Sequence, residues 1–351
     1  MPSLSQVYKD QPLTLPNPIM DLTRMEKVPD SHAWPPLEDY LDDVPSKDGI
    51  IPVISLSEPK LAVMNQVSRA CKTWGMFQVV NHGIPMRLFA ELESLGHQLF
   101  GLPMEQKLKA LRAPDSISGY GVARISPFFD KMMWNEGFTV VGSPLEHARR
   151  LMPDNYDRFC AVIEEYETEM KHFAERLMEL ILSSLGLRKD DVEWAKNGFE
   201  HTNGVLQMNS YPMCPQPTTA MGLAAHTDSS VMTLLYQTSI AGLQVMKDGH
   251  WITVPPIPGA MVINLGDLLH ILSNACFTAP LHRALVSQTH HRLSFAYFWG
   301  PPADTNVFPH PRLLSLNNPP LYQSITWHDY LKLKAKLFNK ALPSLLLPGT
   351  A

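Results

Sequence analysis

Cysteine is scarce in this chain, strong charge of either sign is missing, and so are long apolar runs. Of 351 residues only four are cysteine, Cys71, Cys160, Cys214 and Cys276. They lie far apart with no Cys-x-x-Cys pair. That excludes a disulfide framework and a cysteine-built zinc site, and it fits a reducing, cytoplasmic setting. Lys and Arg number 29 against 34 Asp and Glu, a net charge of −5. This leaves no basic footprint for nucleic acid and no basic patch for a membrane surface. No stretch approaches the roughly 18 apolar residues of a membrane span. The opening MPSLSQVYKDQPLTLP has no basic segment followed by an apolar one, so no secretory signal is expected. No internal repeat is visible.

Proline, by contrast, is plentiful at 31 residues. It clusters at the ends and in loops, which suits many short elements rather than a helical bundle. Hydrophobic residues make up 45%, enough for one large core or two modest domains. Residues 1–50 show little period, and WPPLEDYLDDVPSKDG (34–49) reads as an irregular arm. Residues 51–160 open with strands IPVISL and MFQVV, and hold two amphipathic helices, one ending at Gly75 and one at Gly101 and Pro103. Residues 110–150 read as an aromatic loop. A long helix is expected from about Asp154 to Leu185, and residues 161–201 form a helix-and-connector region. From 202 to 302 the texture changes to short β-prone runs split by Gly, Pro and Asp, with a hairpin signal at Asp248-Gly249. Such a series predicts a jelly roll or a barrel. Residues 303–351 supply a closing helix (326–342) and a tail.

Within GLAAHTDSSVMTLLYQ, which begins at Gly222, an apolar β-prone run carries His226 and Asp228. Residues two apart on a strand share a face, so an imidazole and a carboxylate would project together. A buried, unpaired carboxylate is costly, and a cation would neutralise it. Alone, the pair also suits a hydrogen-bonded strand end. Downstream, PLHRALVS places His282 in another β-prone run. Two histidines and one carboxylate make a facial triad that leaves adjacent positions open on iron(II), as oxygen activation requires. Ten residues later RLS sets Arg292 and Ser294 on one strand face, a guanidinium fork and a hydroxyl suited to a carboxylate. NSYP sets Asn209 and Tyr211 on one face of another strand, with the Tyr211 hydroxyl in reach of the same carboxylate.

HTD at 226–228, HR at 282–283, RLS at 292–294, NHGIP (81–85) and NSYPMCPQP (209–217) resemble the plant iron(II)/2-oxoglutarate-dependent dioxygenases. PDSHAW (29–34), SGYGVARISPFFDKMMWNEGFTVVGSPL (118–145) and TWHDYLKLKAKLFNKAL (326–342) are similar to the narrower group of gibberellin 3-beta-dioxygenases. The resemblance implies a mainly β fold with flanking α-helices around a double-stranded β-helix (jelly-roll) core. It implies Fe(II) held by His226, Asp228 and His282, and 2-oxoglutarate as co-substrate with its distal carboxylate on Arg292 and Ser294. Tyr211 would assist and Asn209 would lie beside them. It further implies O2 as oxidant, ascorbate as activator, and a monomeric cytoplasmic enzyme that 3-beta-hydroxylates a gibberellin. The chain departs from that pattern in NACFTAPLHR, where Ala275 stands for a glycine and Ala279-Pro280 for Ser-Val, and in His290-His291 before Arg292. Gibberellin 1- or 2-oxidases, a 2,3-desaturase, or a dioxygenase of flavonoids would share nearly all these motifs. A non-catalytic binding module and a zinc-holding cupin are the rivals from other classes.

A gibberellin is an apolar ring system bearing a carboxylate, so its pocket should be apolar with a few placed polar groups. The aromatic loop offers Phe128, Phe129, Met133, Trp134 and Phe138 as walls and Arg124 as partner for the acid. His82 is expected to fix a turn, His270 to pack within a helix, and Met208 and Met232 to fill the core.

Overall fold

The computed structural model describes residues 4–10, 12, 19–37, 40, 51–196, 198–199 and 201–349. The described parts of the N-terminal arm include short 3-10 turns at Leu4–Gln6, Leu22–Arg24 and Asp30–His32; residues 1–3, 11, 13–18, 38–39 and 41–50 of the arm lie outside the described residues. Strand β1 (Val53–Ser55) leads into helix α1 (Lys60–Thr73) and strand β2 (Met76–Val80). Gly75 ends α1 with φ +65, and a Cβ there would sit 2.0 Å from the Thr278 carbonyl oxygen, so the expected stop is enforced twice. Helix α2 (Met86–Phe100) buries Leu88, Phe89, Leu92, Leu95 and Leu99 on one stripe and stops at Gly101.

The segment 110–150, read as a loop, is more ordered than its sequence suggests. After helix α3 (Met104–Leu108) come strands β3 (Gly119–Gly121) and β4 (Glu136–Val140) and helix α4 (Leu145–Leu151). Every residue of β4 is buried, so it shows no polar and apolar alternation to mark it. Helix α5 (Tyr156–Ser184) follows. The division expected at 160/161 therefore falls inside α5.

Strands β5 (Asn203–Tyr211), β6 (Met221–His226), β7 (Met232–Gln237), β8 (Leu243–Lys247), β9 (His250–Thr253) and β10 (Met261–Leu265) precede helix α6 (Asp267–Leu272). Then come β11 (His282–Leu285), β12 (Arg292–Gly300), β13 (Asn306–Val307), β14 (Ile325–Thr326) and helix α7 (Trp327–Leu337). The β8–β9 hairpin turns at Asp248 (φ 49) and Gly249 (φ 87), the two positive φ values such a turn requires.

The strands form an eight-stranded sheet in the order β1-β2-β10-β7-β12-β5-β4-β3 and a four-stranded sheet in the order β6-β11-β8-β9. This is the jelly-roll arrangement, with the N-terminal strands extending its larger sheet. Along β12 the side chains alternate. Leu293, Phe295, Tyr297 and Trp299 join the cluster that contains the buried stripes of α1, α2 and α5, together with Met208 and Met232. Arg292, Ser294, Ala296 and Phe298 face the space between the sheets. Leu235, Leu243, Val245, Val262 and Ala296, from both sheets, close part of that space as a second core. Among the described residues no helix is long and apolar enough to cross a membrane.

Candidate functional site

Strand β6 ends at His226, and β11 begins at His282, its direct partner in register. Asp228 lies just past the strand rather than in it. Its carbonyl accepts from Asp267 N–H, and Ser230 likewise bonds to Leu268, so the chain leaves the ladder to dock on the start of α6. The three side chains still converge. The Nε2 atoms of His226 and His282 each lie 3.7 Å from Asp228 Oδ1. One ligand atom from each of the three lies within 4.8 Å of the others. Each Nδ1–H is given to a carbonyl, His226 to Ala224 at 2.8 Å and His282 to Pro280 at 3.0 Å. This fixes the tautomer and leaves both Nε2 lone pairs aimed at a common point. Burial pulls the His226 pKa down to about 3, with His282 acting in the same direction and Asp228 opposing. Burial raises Asp228, but the two imidazoles, the Thr233 hydroxyl and Lys334 outweigh it and hold the carboxyl below its ordinary value. Two imidazole Nε2 atoms beside a carboxylate are the donor set a borderline divalent cation takes.

Strands β5 and β12 pair with Tyr211 opposite Arg292 and Asn209 opposite Ser294, so all four side chains share one face. The Arg292 guanidinium lies 5.0 Å above the Tyr211 ring. Its Nε donates to Ile240 O at 3.2 Å and its Nη2 to Gln237 Oε1 at 3.1 Å, while Nη1 is buried without a partner. A buried, unspent guanidinium donor calls for an acceptor that the protein does not itself provide. Gly242 makes the room: a Cβ there would meet Arg292 Cδ at 2.9 Å.

One cavity of about 240 Å3 joins these groups, far more than the roughly 30 Å3 share of one water. His226, Asp228, His282, Arg292, Ser294, Asn209 and Tyr211 all line it, with Leu223, Leu235, Leu243, Ala296 and Phe298 as apolar wall. Arg124 and Phe128 line it too. Phe129 and Trp134 do not. Trp134 is wholly buried, gives its Nε1–H to Pro212 O and packs with Tyr211 and Cys214; Phe129 packs on Trp34 and Phe338. Met133 and Phe138 are likewise core, Phe138 against Phe159 and His147. Phe128 ends a 3-10 turn, while Phe129 and Trp134 lie in the bends between that turn and β4, so the segment changes direction and only part of it reaches the ligand space. His82 accepts from Ile84 N–H and donates to Gly259 O, fixing its turn. His270 bonds Phe277 O and the Tyr322 hydroxyl.

Several lining residues were not singled out in the sequence. Tyr8, Arg112, Thr139 and Gln207 are among them. A directed chain runs through them. Arg112 Nη1 donates to Thr139 Oγ1 (3.4 Å), Thr139 to Gln207 Oε1 (2.5 Å), Gln207 Nε2 to Asn209 Oδ1 (3.2 Å), and Asn209 Nδ2 to Ser294 Oγ (3.4 Å). The Ser294 hydroxyl proton is thereby left for another acceptor. Lys334 of α7 also lines the cavity and donates to Asp267 Oδ2 at 2.5 Å and to Thr227 Oγ1 at 2.6 Å. A signal for it existed: Trp327, Tyr330 and Lys334 lie at helical spacing and form the buried stripe of α7.

Residues 202–301 match the family described as the 2OG-Fe(II) oxygenase superfamily, and residues 51–156 the one described as non-haem dioxygenase in morphine synthesis N-terminal. A Pisum sativum protein named Gibberellin 3-beta-dioxygenase 1 is 49% identical over 355 residues, covering 99% of this chain and 94% of its own. The chain belongs to the 2OG-Fe(II) oxygenase superfamily. An Arabidopsis thaliana protein named Gibberellin 3-beta-dioxygenase 1 matches this oxygenase at 49% identity, covering 97% of it and 96% of the relative. Among solved structures, one of JOX2 in complex with 2OG, Fe and JA aligns with the oxygenase at a TM-score of 0.81 and 31% identity, covering 95% of it and 99% of that chain. AtDAO1, a dioxygenase for auxin oxidation from Arabidopsis thaliana, aligns at a TM-score of 0.65 and 27% identity, covering 77% and 100%.

Proposed function

We propose that this oxygenase is a gibberellin 3-beta-dioxygenase. Substrate, dioxygen and 2-oxoglutarate give the 3-beta-alcohol, succinate and carbon dioxide. The reading rests on the convergence of the His226, Asp228 and His282 ligand atoms within 4.8 Å, in a cavity that also holds the unspent Nη1 of Arg292. Near full-length similarity to proteins named for that reaction supports it.

His226 and His282 would hold iron(II) through Nε2, and Asp228 through its carboxylate. Bound there, iron(II) supplies the activation of dioxygen and the oxidising power for a C–H bond. The protein's own work is positioning. Carbonyls of Ala224 and Pro280 keep the imidazoles in the ligating tautomer. Arg292 and Ser294 receive the distal carboxylate of 2-oxoglutarate, the guanidinium as a fork and the hydroxyl as a donor. Burial raises the Tyr211 phenol against the pull of Arg292 and Ser294, so it stays protonated at neutral pH and donates as well. Leu235, Leu243 and Phe298 keep water from the reacting carbon. Arg124 and Phe128 lie at the substrate side. Ascorbate sustains turnover by keeping the metal reduced, and the enzyme acts as a cytoplasmic monomer.

The test is direct. Purified protein with iron(II), ascorbate, 2-oxoglutarate and a gibberellin acid lacking the 3-hydroxyl should yield succinate and the 3-beta-alcohol in equal amounts, identified by mass spectrometry. Chelation should stop both, and zinc should not restore them. Oxygen gained at carbon 1 or 2 would replace the regiochemistry, and no substrate-dependent succinate would end the reading.

A further inference from the structure

Arg112 and Arg124 enter the cavity from the segment between α3 and β4, close enough for each charge to act on the other. Among the described residues their donors are spent only on neutral oxygens. Arg112 bonds Thr139 Oγ1 and the Val122 carbonyl, and Arg124 Nη1 reaches Pro114 O at 3.4 Å. Arg124 Nε and Nη2 are buried and have no partner among the described residues. The acid acting on Arg124 from nearby, Asp115, is exposed and forms no ion pair with it among the described residues. Two neighbouring guanidiniums, half-buried and without a counter-ion among the described residues, are costly for the protein alone. The strain is visible in Arg112, pulled down to about 9 by burial and then by Arg124. Over Arg124, 3.8 Å from its guanidinium, lies the ring of Tyr8 from the N-terminal segment. That segment is tied to α7 by an ion pair from Asp10 to Lys332.

We infer that Arg112 and Arg124, covered by Tyr8, form a second anion site in the cavity, which binds the carboxylate of the substrate. It is separate from Arg292, which stands on β12. The N-terminal arm is thereby part of the binding site, and the Tyr8 ring holds the Arg124 guanidinium flat by a cation–π contact, presenting its edge to the acid. The hydrogen-bond chain from Arg112 to Ser294 ties this site to the one for the co-substrate, so an anion at one end orders the donors at the other. That the acid is a gibberellin rests on the function proposed above; the preference for a carboxylate does not.

The experiment compares a gibberellin acid with its methyl ester by calorimetric titration into protein loaded with manganese(II) and 2-oxoglutarate. The acid should bind wild type about 10–100-fold more tightly than the ester. Arg112→Met and Arg124→Met should each remove most of that gap by weakening the acid and leaving the ester little changed; 2-oxoglutarate affinity should stay intact in Arg124→Met and fall in Arg112→Met, which breaks the chain to Ser294. Arg112→Lys, which keeps the charge, should retain part of the gap and so separates lost charge from misfolding. Tyr8→Ala should weaken the acid several-fold while Tyr8→Phe does not. A gap of wild-type size in both methionine variants would overturn the anion site. Succinate release from the iron-loaded samples reports on the oxygenase reading alone: its absence with the gap intact would sink that reading and leave the anion site standing.

Discussion

At the scale of single residues, Ala275 is where the structure registers a cost. It follows α6 with φ 64, after Asn274 at φ 50. Its N–H bonds to His270 O at 2.9 Å, closing the end of the helix. Asparagine tolerates a left-handed backbone; alanine does so at roughly 1–2 kcal/mol, of which a glycine would give back part as chain entropy. Ala275→Gly should therefore stabilise the protein by about 0.5–1 kcal/mol, read as a higher urea midpoint with an unchanged slope. An equal or lower midpoint would show that the Ala275 backbone is relaxed elsewhere. At this same scale the sequence was most readable where chemistry restricts the side chain. His226, Asp228, His282, Arg292 and Ser294 stand out because few residue types do their work. Arg112 and Tyr8 do not, because nothing in a lone arginine or tyrosine says which wall it will reach.

At the scale of elements, α7 does more than close the fold. Lys334 is 7% exposed and Asp267 0%. Asp267 Oδ2 accepts from Lys334, from the Tyr330 hydroxyl at 2.6 Å and from Thr227 Oγ1 at 3.0 Å. Thr227 sits between two of the candidate ligands, so the C-terminal helix braces the turn that carries them. Lys334→Met would strand a buried carboxylate, at a cost of about 3–5 kcal/mol. Adding Asp267→Asn should recover most of it, since the neutral amide needs no counter-charge. Equilibrium urea unfolding of the single and double variants measures the difference; a double variant no better than the single would refute the pairing. Long elements were legible: α1, α2 and α5 show their stripes, and β5, β7 and β12 their apolar runs. The stretch from 110 to 150 was not. Strand β4 is buried on both faces and β3 is only three residues long, so neither leaves a period to read.

At the scale of the whole molecule, burial has set many histidines against their protons. His32, His82, His147, His226, His270 and His291 are all held below the ordinary imidazole range, first of all by burial, His291 to about 4. An unfolded chain takes up protons at these sites as the pH falls below about 6.5, while the folded one refuses them. More protons on the unfolded side means stability rises with pH, so acidification must weaken the metal-free protein. Each such group adds a slope of up to about 1.4 kcal/mol per pH unit well below its unfolded value. Glu167, pushed up to about 8 by burial and Glu164, and Glu175, raised by burial, act the other way, two groups against six. The urea midpoint should fall between pH 7.5 and 5.5, and a flat profile would contradict the burial of these rings.

The rings of His226 and His282 lie 4.3 Å apart because one strand ends where its neighbour begins. During synthesis the earlier histidine and its aspartate leave the ribosome well before the later one. Until β11 zips onto β6, the chain offers an ion only a two-toothed, easily vacated grip. A three-toothed ion site therefore exists only where β6 and β11 have paired, and neither strand alone can form it.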